Sequence, residues 1–130
     1  FGNHRFTLAT DVGCITDEVA YYICKANHLV IETNYDEEML NNGRYPYHLK
    51  QRICSGSGHL SNRQTAEFLA NNYSSDLRNI WLCHLSGDNN NPELAYRTVE
   101  EQLTQKGIKV GKQVSLQVLR RNILSSKTDF

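Results

Sequence analysis

The sequence predicts a layered α/β fold built around a mainly parallel sheet. Short apolar segments that favour strands alternate with segments whose apolar residues recur at helical spacing. The first two strands are separated by a single helix, and a strand–helix–strand unit of this kind pairs its strands in parallel. The apolar run 80–83 suits a strand that is buried on both faces, as in parallel sheets. The predicted order of elements is therefore β-α-β-α-α-α-β-α-β.

The first half of the chain supplies two strands and three helices. Residues 5–10 alternate apolar and polar side chains, as a strand does. Thr16 is the predicted N-cap of a helix that runs to about Lys25. The face that this helix should bury carries Val19, Tyr22 and Ile23. The next predicted elements are a strand at 28–33, a short helix at 36–40 that stops at Asn42 and Gly43, and a helix at 47–54.

The second half begins with a clear helix start. Ser61 and Gln64 have the spacing of a capping box, and Ala66, Leu69, Ala70 and Tyr73 follow on one helical face. Asn91 and Pro92 suit the N-cap and first position of a further helix. The remaining predicted elements are a strand at 78–84, that helix at 92–106, a strand at 114–119 and a frayed tail from Arg120 onward.

Composition bounds the class of protein. A chain of 130 residues makes one modest domain, and 39% hydrophobic residues exclude a disordered chain. The 14 basic residues balance the 14 acidic ones, so no overall basic charge indicates nucleic acid or an anionic membrane. No apolar stretch is long enough to span a bilayer. Four cysteines without a C-x-x-C pair predict reduced, buried thiols in a cytoplasmic protein.

Polar residues follow three of the predicted strands. Asp11, Glu32 and His84 end these strands, and His59 lies in a glycine-rich loop before a capped helix. Because the carboxyl ends of parallel strands share one edge of a sheet, these side chains are expected in one cleft. Carboxylates and imidazoles are ligands for zinc, manganese and iron. Each residue also has a purely structural interpretation, as a turn former, a solvated strand end, a loop brace or a hydrogen-bonded histidine.

The loop before the capped helix offers a second kind of site. Gly58, Ser61 and Asn62 lie at a helix N-terminus, where backbone N–H groups can bind a phosphate. Helix capping alone explains the same residues equally well. Asp11 and His84 are only two metal ligands, whereas a catalytic zinc usually takes three from the protein. The sequence therefore predicts an incomplete site whose other ligands come from outside this chain.

Four motifs resemble a known family when they are taken together. They are 9–13 (ATDVG), 31–36 (IETNYD), 57–62 (SGHLSN) and 82–86 (LCHLS). This ordered set resembles the second half of a metallo-β-lactamase-fold hydrolase, and it is most similar to the bacterial YycJ/WalJ-type branch. The segments 39–47 and 89–95 are similar to the same branch, so the resemblance covers nearly the whole chain up to Leu103.

The resemblance implies a fold and a set of roles. The fold is an α/β four-layer αββα sandwich of two similar halves, of which residues 1–130 would form the C-terminal half. Asp11 matches the aspartate that bridges two metals, and His84 matches the last histidine ligand. Glu32 and His59 match a carboxylate–histidine pair that passes a proton in related nucleases. The family's H-x-H-x-D-H motif would precede Phe1, and Tyr35 stands where many relatives have a histidine.

The predicted function is metal-dependent hydrolysis of nucleic acid. The resemblance implies a phosphodiesterase or nuclease, 5′-3′ exonuclease-like, with two divalent metals per intact domain, zinc or manganese. DNA is favoured over RNA as the substrate. The alternatives are a non-enzymatic α/β binding or signalling module, such as a flavodoxin-like domain, and a metallo-hydrolase of thioester or lactam substrates. The chain alone is expected to be inactive and to self-associate through an exposed sheet face.

Overall fold

The elements of the chain follow the predicted order. A computed structural model describes residues 4–10, 13–55 and 58–119. Every predicted element in these ranges is confirmed, with ends that shift by one or two residues. The prediction for the tail lies outside the described residues. The elements are β1 (Phe6–Ala9), α1 (Asp17–Cys24), β2 (His28–Glu32), α2 (Glu37–Asn42), α3 (Tyr47–Cys54), α4 (Asn62–Asn71), β3 (Asn79–Cys83), α5 (Pro92–Gln105) and β4 (Ser115–Val118).

Side-chain caps fix where the helices begin. The Thr16 hydroxyl accepts a hydrogen bond from the Val19 N–H at the start of α1. Ser61 and Gln64 form a reciprocal capping box at the start of α4. At α5 the Asn91 side chain accepts from the Leu94 N–H. These local hydrogen bonds satisfy amide groups that a helix leaves unpaired at its first turn, which is why the sequence predicts these boundaries well.

The four strands form one parallel sheet in the order β1-β2-β3-β4. When consecutive parallel strands lie side by side and the crossovers share one hand, the connecting helices fall on one face of the sheet. The buried core agrees with this rule, because it joins one face of the sheet to α1, α4 and α5. Its fully or nearly fully buried members are Leu29, Ile31, Ile80, Leu82, Ala66, Leu69, Ala95, Val99 and Leu103.

The opposite face of the sheet carries a different set of side chains. In register across the strands lie Phe6, His28, Val30 and Trp81, with Leu8 on the edge strand. Phe6 is 46% exposed and Leu8 is 69% exposed. Parallel sheets are normally covered on both faces. A flavodoxin-like fold places helices on both faces, so the one-sided packing of α1, α4 and α5 does not match that alternative.

Two expectations about buried residues are wrong. Tyr22 is 56% exposed, because α1 packs at the β1 edge and buries only Ile23. Cys14, Cys24 and Cys54 are exposed, and only Cys83 on β3 is buried. None of these four cysteines is part of a disulfide in the described structure. Among the described helices, none has the length and apolar character needed to cross a membrane.

Candidate metal and acid–base site

Three of the predicted site residues meet at the carboxyl edge of the sheet. Glu32 is the last residue of β2 and pairs with Cys83, the last residue of β3. His84 follows Cys83 directly, so the pairing register alone brings it next to Glu32. His59 comes from the segment between α3 and α4, whose backbone is tied to β2 by the Asn34 N–H donating to the Leu60 carbonyl.

Glu32 holds both histidines. Its Oε2 lies 2.8 Å from His59 Nδ1 and its Oε1 lies 2.8 Å from His84 Nδ1. The Leu60 N–H donates to Oε2 at 3.2 Å. The carboxylate itself is fully buried, with no exposed surface. A buried carboxylate is costly unless it is fully hydrogen bonded, and these three donors supply that compensation.

The contacts of Glu32 with both histidines determine which nitrogen of each ring faces outward. An ionised carboxylate only accepts hydrogen bonds, so Nδ1 of both rings carries the proton. The Nε2 atoms then point away from Glu32 with an electron pair to offer. The side chains of His59 and His84 are 31% and 33% exposed, so both rings open toward solvent. The two rings meet edge to face, with centroids 5.2 Å apart.

Three side chains at this edge lie close enough together to be compared with a metal site. Glu32, His59 and His84 offer ligand atoms that all lie within 4.8 Å of one another. The 2.8 Å contacts to Nδ1 are shorter than the about 3.4 Å between two ligands of a tetrahedral zinc, so they are hydrogen bonds and not a chelate. Metal-binding histidines commonly ligate through one nitrogen while a carboxylate holds the other N–H. His84 therefore suits a metal through Nε2, with Glu32 orienting the ring.

The backbone of His84 is held in an unusual conformation. Its φ of 57° is in the left-handed region, which non-glycine residues adopt rarely and at a cost. Asn34 compensates, because its Nδ2 donates to the His84 carbonyl at 2.7 Å. The Asn34 carbonyl in turn accepts from the Ser86 N–H at 2.7 Å. The strand end therefore turns sharply at His84, and Asn34 holds that turn in place.

The predicted phosphate donors at α4 are engaged in other bonds. The Ser61 N–H donates to Gln64 Oε1, and the Asn62 N–H donates to the Tyr35 carbonyl. Asn62 is also 1% exposed, and its side chain exchanges two 2.8 Å hydrogen bonds with Asn90. In this structure both N–H groups have protein acceptors, and phosphate binding at Ser61 and Asn62 stays a prediction. Their contacts fasten α4 to the loops that follow β2 and β3.

Gly58 has a steric role. A Cβ atom at this position would lie 2.3 Å from the Ile53 carbonyl oxygen and 2.4 Å from that of Arg52. Its N–H donates to the Ser55 carbonyl, and the next N–H, that of His59, donates to the Ile53 carbonyl. Only glycine allows the chain to pass this closely over the end of α3. Gly58 thus sets the path that delivers His59 to Glu32.

Two other predicted positions have separate outcomes. Asp11 lies outside the described residues. Tyr35 is 2% exposed, and burial, followed by a hydrogen bond with Cys54, raises the pKa of its hydroxyl well above the usual range. A hydroxyl that stays protonated in this way does not act as a base near neutral pH. The structure therefore gives Tyr35 a packing role beside the site.

Sequence reasoning missed two features of this site. Glu32 was paired with His59 alone, although the β2–β3 register also brings it to His84. The supporting amides Asn34 and Asn90 were also missed. A signal was present in the sequence, because Asn34 follows two residues after the end of β2 and Asn90 directly precedes the N-cap of α5, and short polar side chains commonly bond to the backbone in such places.

Comparisons with known proteins show which proteins this chain resembles. The chain is 42% identical over 109 residues to the exodeoxyribonuclease YycJ of Bacillus anthracis, a match that covers 84% of this chain and 41% of that protein. It is 42% identical over 106 residues to the exodeoxyribonuclease WalJ of Streptococcus pneumoniae, covering 82% of this chain and 39% of that protein. The chain thus spans about two fifths of the length of these relatives. No family model matches it.

Proposed function

Since the chain fits the YycJ/WalJ-type branch of metallo-β-lactamase-fold proteins, we propose that it supplies part of the active site of a metal-dependent phosphodiesterase. The substrate is a DNA strand, and the action is that of an exonuclease, as in the names of the relatives. The observation that carries this proposal is the buried Glu32 carboxylate that orients two imidazoles at one sheet edge. Such a site combines metal ligation with proton transfer, which phosphodiester hydrolysis requires.

His84 and Asp11 are the proposed metal ligands of this chain. The bound metals, zinc or manganese and two per intact domain, lower the pKa of a water and neutralise charge on the phosphate. Glu32 keeps the His84 ring in the tautomer whose Nε2 carries the electron pair. Asn34 keeps the backbone of His84 in place. The further ligands belong to the part of the relatives that this chain does not match.

His59 is the proposed general acid. When water adds to phosphorus and the P–O bond to the leaving alcohol breaks, that alkoxide needs a proton. A protonated His59 Nε2 supplies it, and Glu32 at Nδ1 stabilises the imidazolium form before transfer. General-acid work of this kind contributes about a hundredfold or more. Ser61, Asn62 and Gly58 position this histidine by fixing the loop and helix beside it.

The one-sided sheet fits a half-domain. We infer that residues 1–130 form the C-terminal half of an αββα domain in the cytoplasm, and that the other half covers the face bearing Phe6 and Leu8. Expressed by itself, the chain should be inactive and should self-associate through this face. Light scattering measures the mass directly. A monomer at high protein concentration contradicts this inference.

The site is tested in the intact protein by two substitutions. His84→Ala should lose bound metal and exonuclease activity together. His59→Ala should keep the metal and lose about a hundredfold or more in turnover. Metal content is measured by elemental analysis and turnover on a labelled DNA strand.

His4→Ala is the matched control, because it removes a histidine at the opposite edge of the sheet. It should change neither metal content nor turnover. If His84→Ala binds metal normally and still cleaves DNA, the proposed function is wrong.

A further inference from the structure

One segment of this electrically neutral chain is strongly uneven in charge. Residues 39–66 contain no carboxylate, although the chain has 14 acidic residues in all. The segment contains α3, a helix with no buried residue in a protein whose other long helices all bury an apolar face. Tyr47, at the start of α3, is 75% exposed. The four cations of the segment are Arg44, Lys50, Arg52 and Arg63.

A groove of about 470 Å3 follows α3. Its wall contains an aromatic ring, a cation and neutral polar groups, and no acidic side chain. The Lys50 ammonium donates to the Asn41 carbonyl at 2.8 Å, and the Gln51 amide donates to the Tyr47 hydroxyl at 2.5 Å. These bonds hold the cation and the ring at the groove. The lining residues are Asn41, Tyr47, Lys50, Gln51, Cys54 and Ser55.

The groove ends next to the segment that carries His59. Cys54 and Ser55 line its end, and Ser55 accepts a hydrogen bond from the Gly58 N–H. The His59 N–H donates to the carbonyl of Ile53, one residue before Cys54. A ligand that lies along α3 is therefore led toward the edge where His59 and His84 meet Glu32.

We propose that this groove binds the backbone of a single DNA strand and guides it to the site. The proposal rests on the proposed function and names its substrate-binding surface. Lys50, the cation among the lining residues, supplies the positive charge that phosphates require. Tyr47 supplies an exposed ring on which a base stacks, a contact that paired bases in a duplex do not offer. An acidic protein surface would also complement the positive charge of the groove. Such a partner would not require an exposed aromatic ring or a groove that leads to His59.

Binding is measured without cleavage. Fluorescence anisotropy of a labelled oligothymidine with the intact protein, in the presence of a chelator, reports affinity alone. Lys50→Gln should weaken binding about fivefold at about 0.1 M salt. The same variant should reduce the slope of log affinity against log salt by about 0.7, the value for one lost phosphate contact with a single strand. Tyr47→Ala should weaken binding about fivefold or more, through lost stacking.

Matched variants remove the same groups elsewhere. Lys112→Gln deletes one exposed cation in the turn before β4, at the amino edge of the sheet. Tyr21→Ala deletes a ring on α1 that is 56% exposed. Both should leave affinity within twofold of the unchanged protein. If they weaken binding as much as the α3 variants, or if the α3 variants bind normally, the groove is not the DNA surface.

The inference and the proposed function fail in different measurements. If the α3 variants cleave DNA normally and bind it with unchanged affinity, only the assignment of the groove is wrong. If the protein binds oligothymidine tightly through α3 but never cleaves DNA, only the proposed nuclease activity is wrong.

Discussion

Strand β2 carries a histidine cluster at each end, and the two clusters differ in chemistry. Glu32, its last residue, bridges His59 and His84. His28, its first residue, lies 2.6 Å from His4 and 3.0 Å from the Asn79 amide. Both ends project from the same face of the sheet, about 13 Å apart. Among the described residues, a carboxylate lies between the rings at the carboxyl end and not at the other.

The tautomers of the two clusters are opposite. The Asn79 amide N–H donates to His28 Nδ1, so His28 carries its proton on Nε2 and donates it to His4. Both nitrogens of His28 thus face protein groups, and the residue is 2% exposed. Burial, then the charges of His4 and Arg78, lower the pKa of His28. At this end the imidazole is a neutral packing residue, whereas at the other end Glu32 holds two partly exposed rings through their Nδ1 atoms.

The carboxylate is therefore the feature that separates the two clusters. Glu32→Gln in the intact protein should reduce metal affinity by about tenfold to a hundredfold and turnover by about a hundredfold. A carboxamide offers one acceptor oxygen and one NH2 group, so only one imidazole keeps its Nδ1–H bond. Isothermal titration with the metal and a DNA cleavage assay measure the two effects.

The corresponding change at the other cluster is Asn79→Ala, which removes the amide beside His28. It should leave metal affinity and turnover unchanged. If Glu32→Gln retains both properties, the distinction between the clusters disappears.

A smaller effect is expected in the pH dependence of stability. The unfolded chain protonates His28 below a pH of about 6.5, while the folded protein resists that proton. The folded protein is thus favoured above this pH and loses stability as pH falls below it, with a slope of at most about 1.4 kcal/mol per pH unit. The free energy of unfolding in urea is measured from pH 7 to pH 5. In the His28→Asn variant it should fall less steeply over this range than in the unchanged protein.

His4→Ala separates the causes of the shift. Burial outweighs the charge of His4 in lowering the pKa of His28, so this variant should keep most of the slope. If the His28→Asn variant shows the same pH dependence as the unchanged protein, His28 is not the titrating group.

Local signals in the sequence predicted the elements well, because their causes are local. The capping box of Ser61 and Gln64 and the Asn91–Pro92 start of α5 are satisfied within one helical turn. The apolar run of β3 predicted a buried strand, and Ile80 and Leu82 are buried by at least 99%. The site was predicted in part, because parallel strands place their carboxyl ends on one edge.

The features that the sequence does not indicate have non-local causes. Tyr22 has the helical spacing of a core residue, but the position of α1 at the edge of the sheet leaves it in solvent. The Asn62 N–H donates to the Tyr35 carbonyl, and the Asn62 side chain pairs with that of Asn90, which lies 28 positions away. No spacing rule within one element indicates either partner.

By itself, the sequence determined the order of strands and helices, the caps, and the presence of Glu32, His59 and His84 near one sheet edge. These depend on hydrogen bonds and apolar patterns within a few residues. The tertiary structure decided that Glu32 bridges both histidines, that Asn34 holds His84 in a left-handed turn, and that an Asn79 amide contacts His28. Those outcomes depend on strand register and loop packing, which bring together residues as much as 52 positions apart.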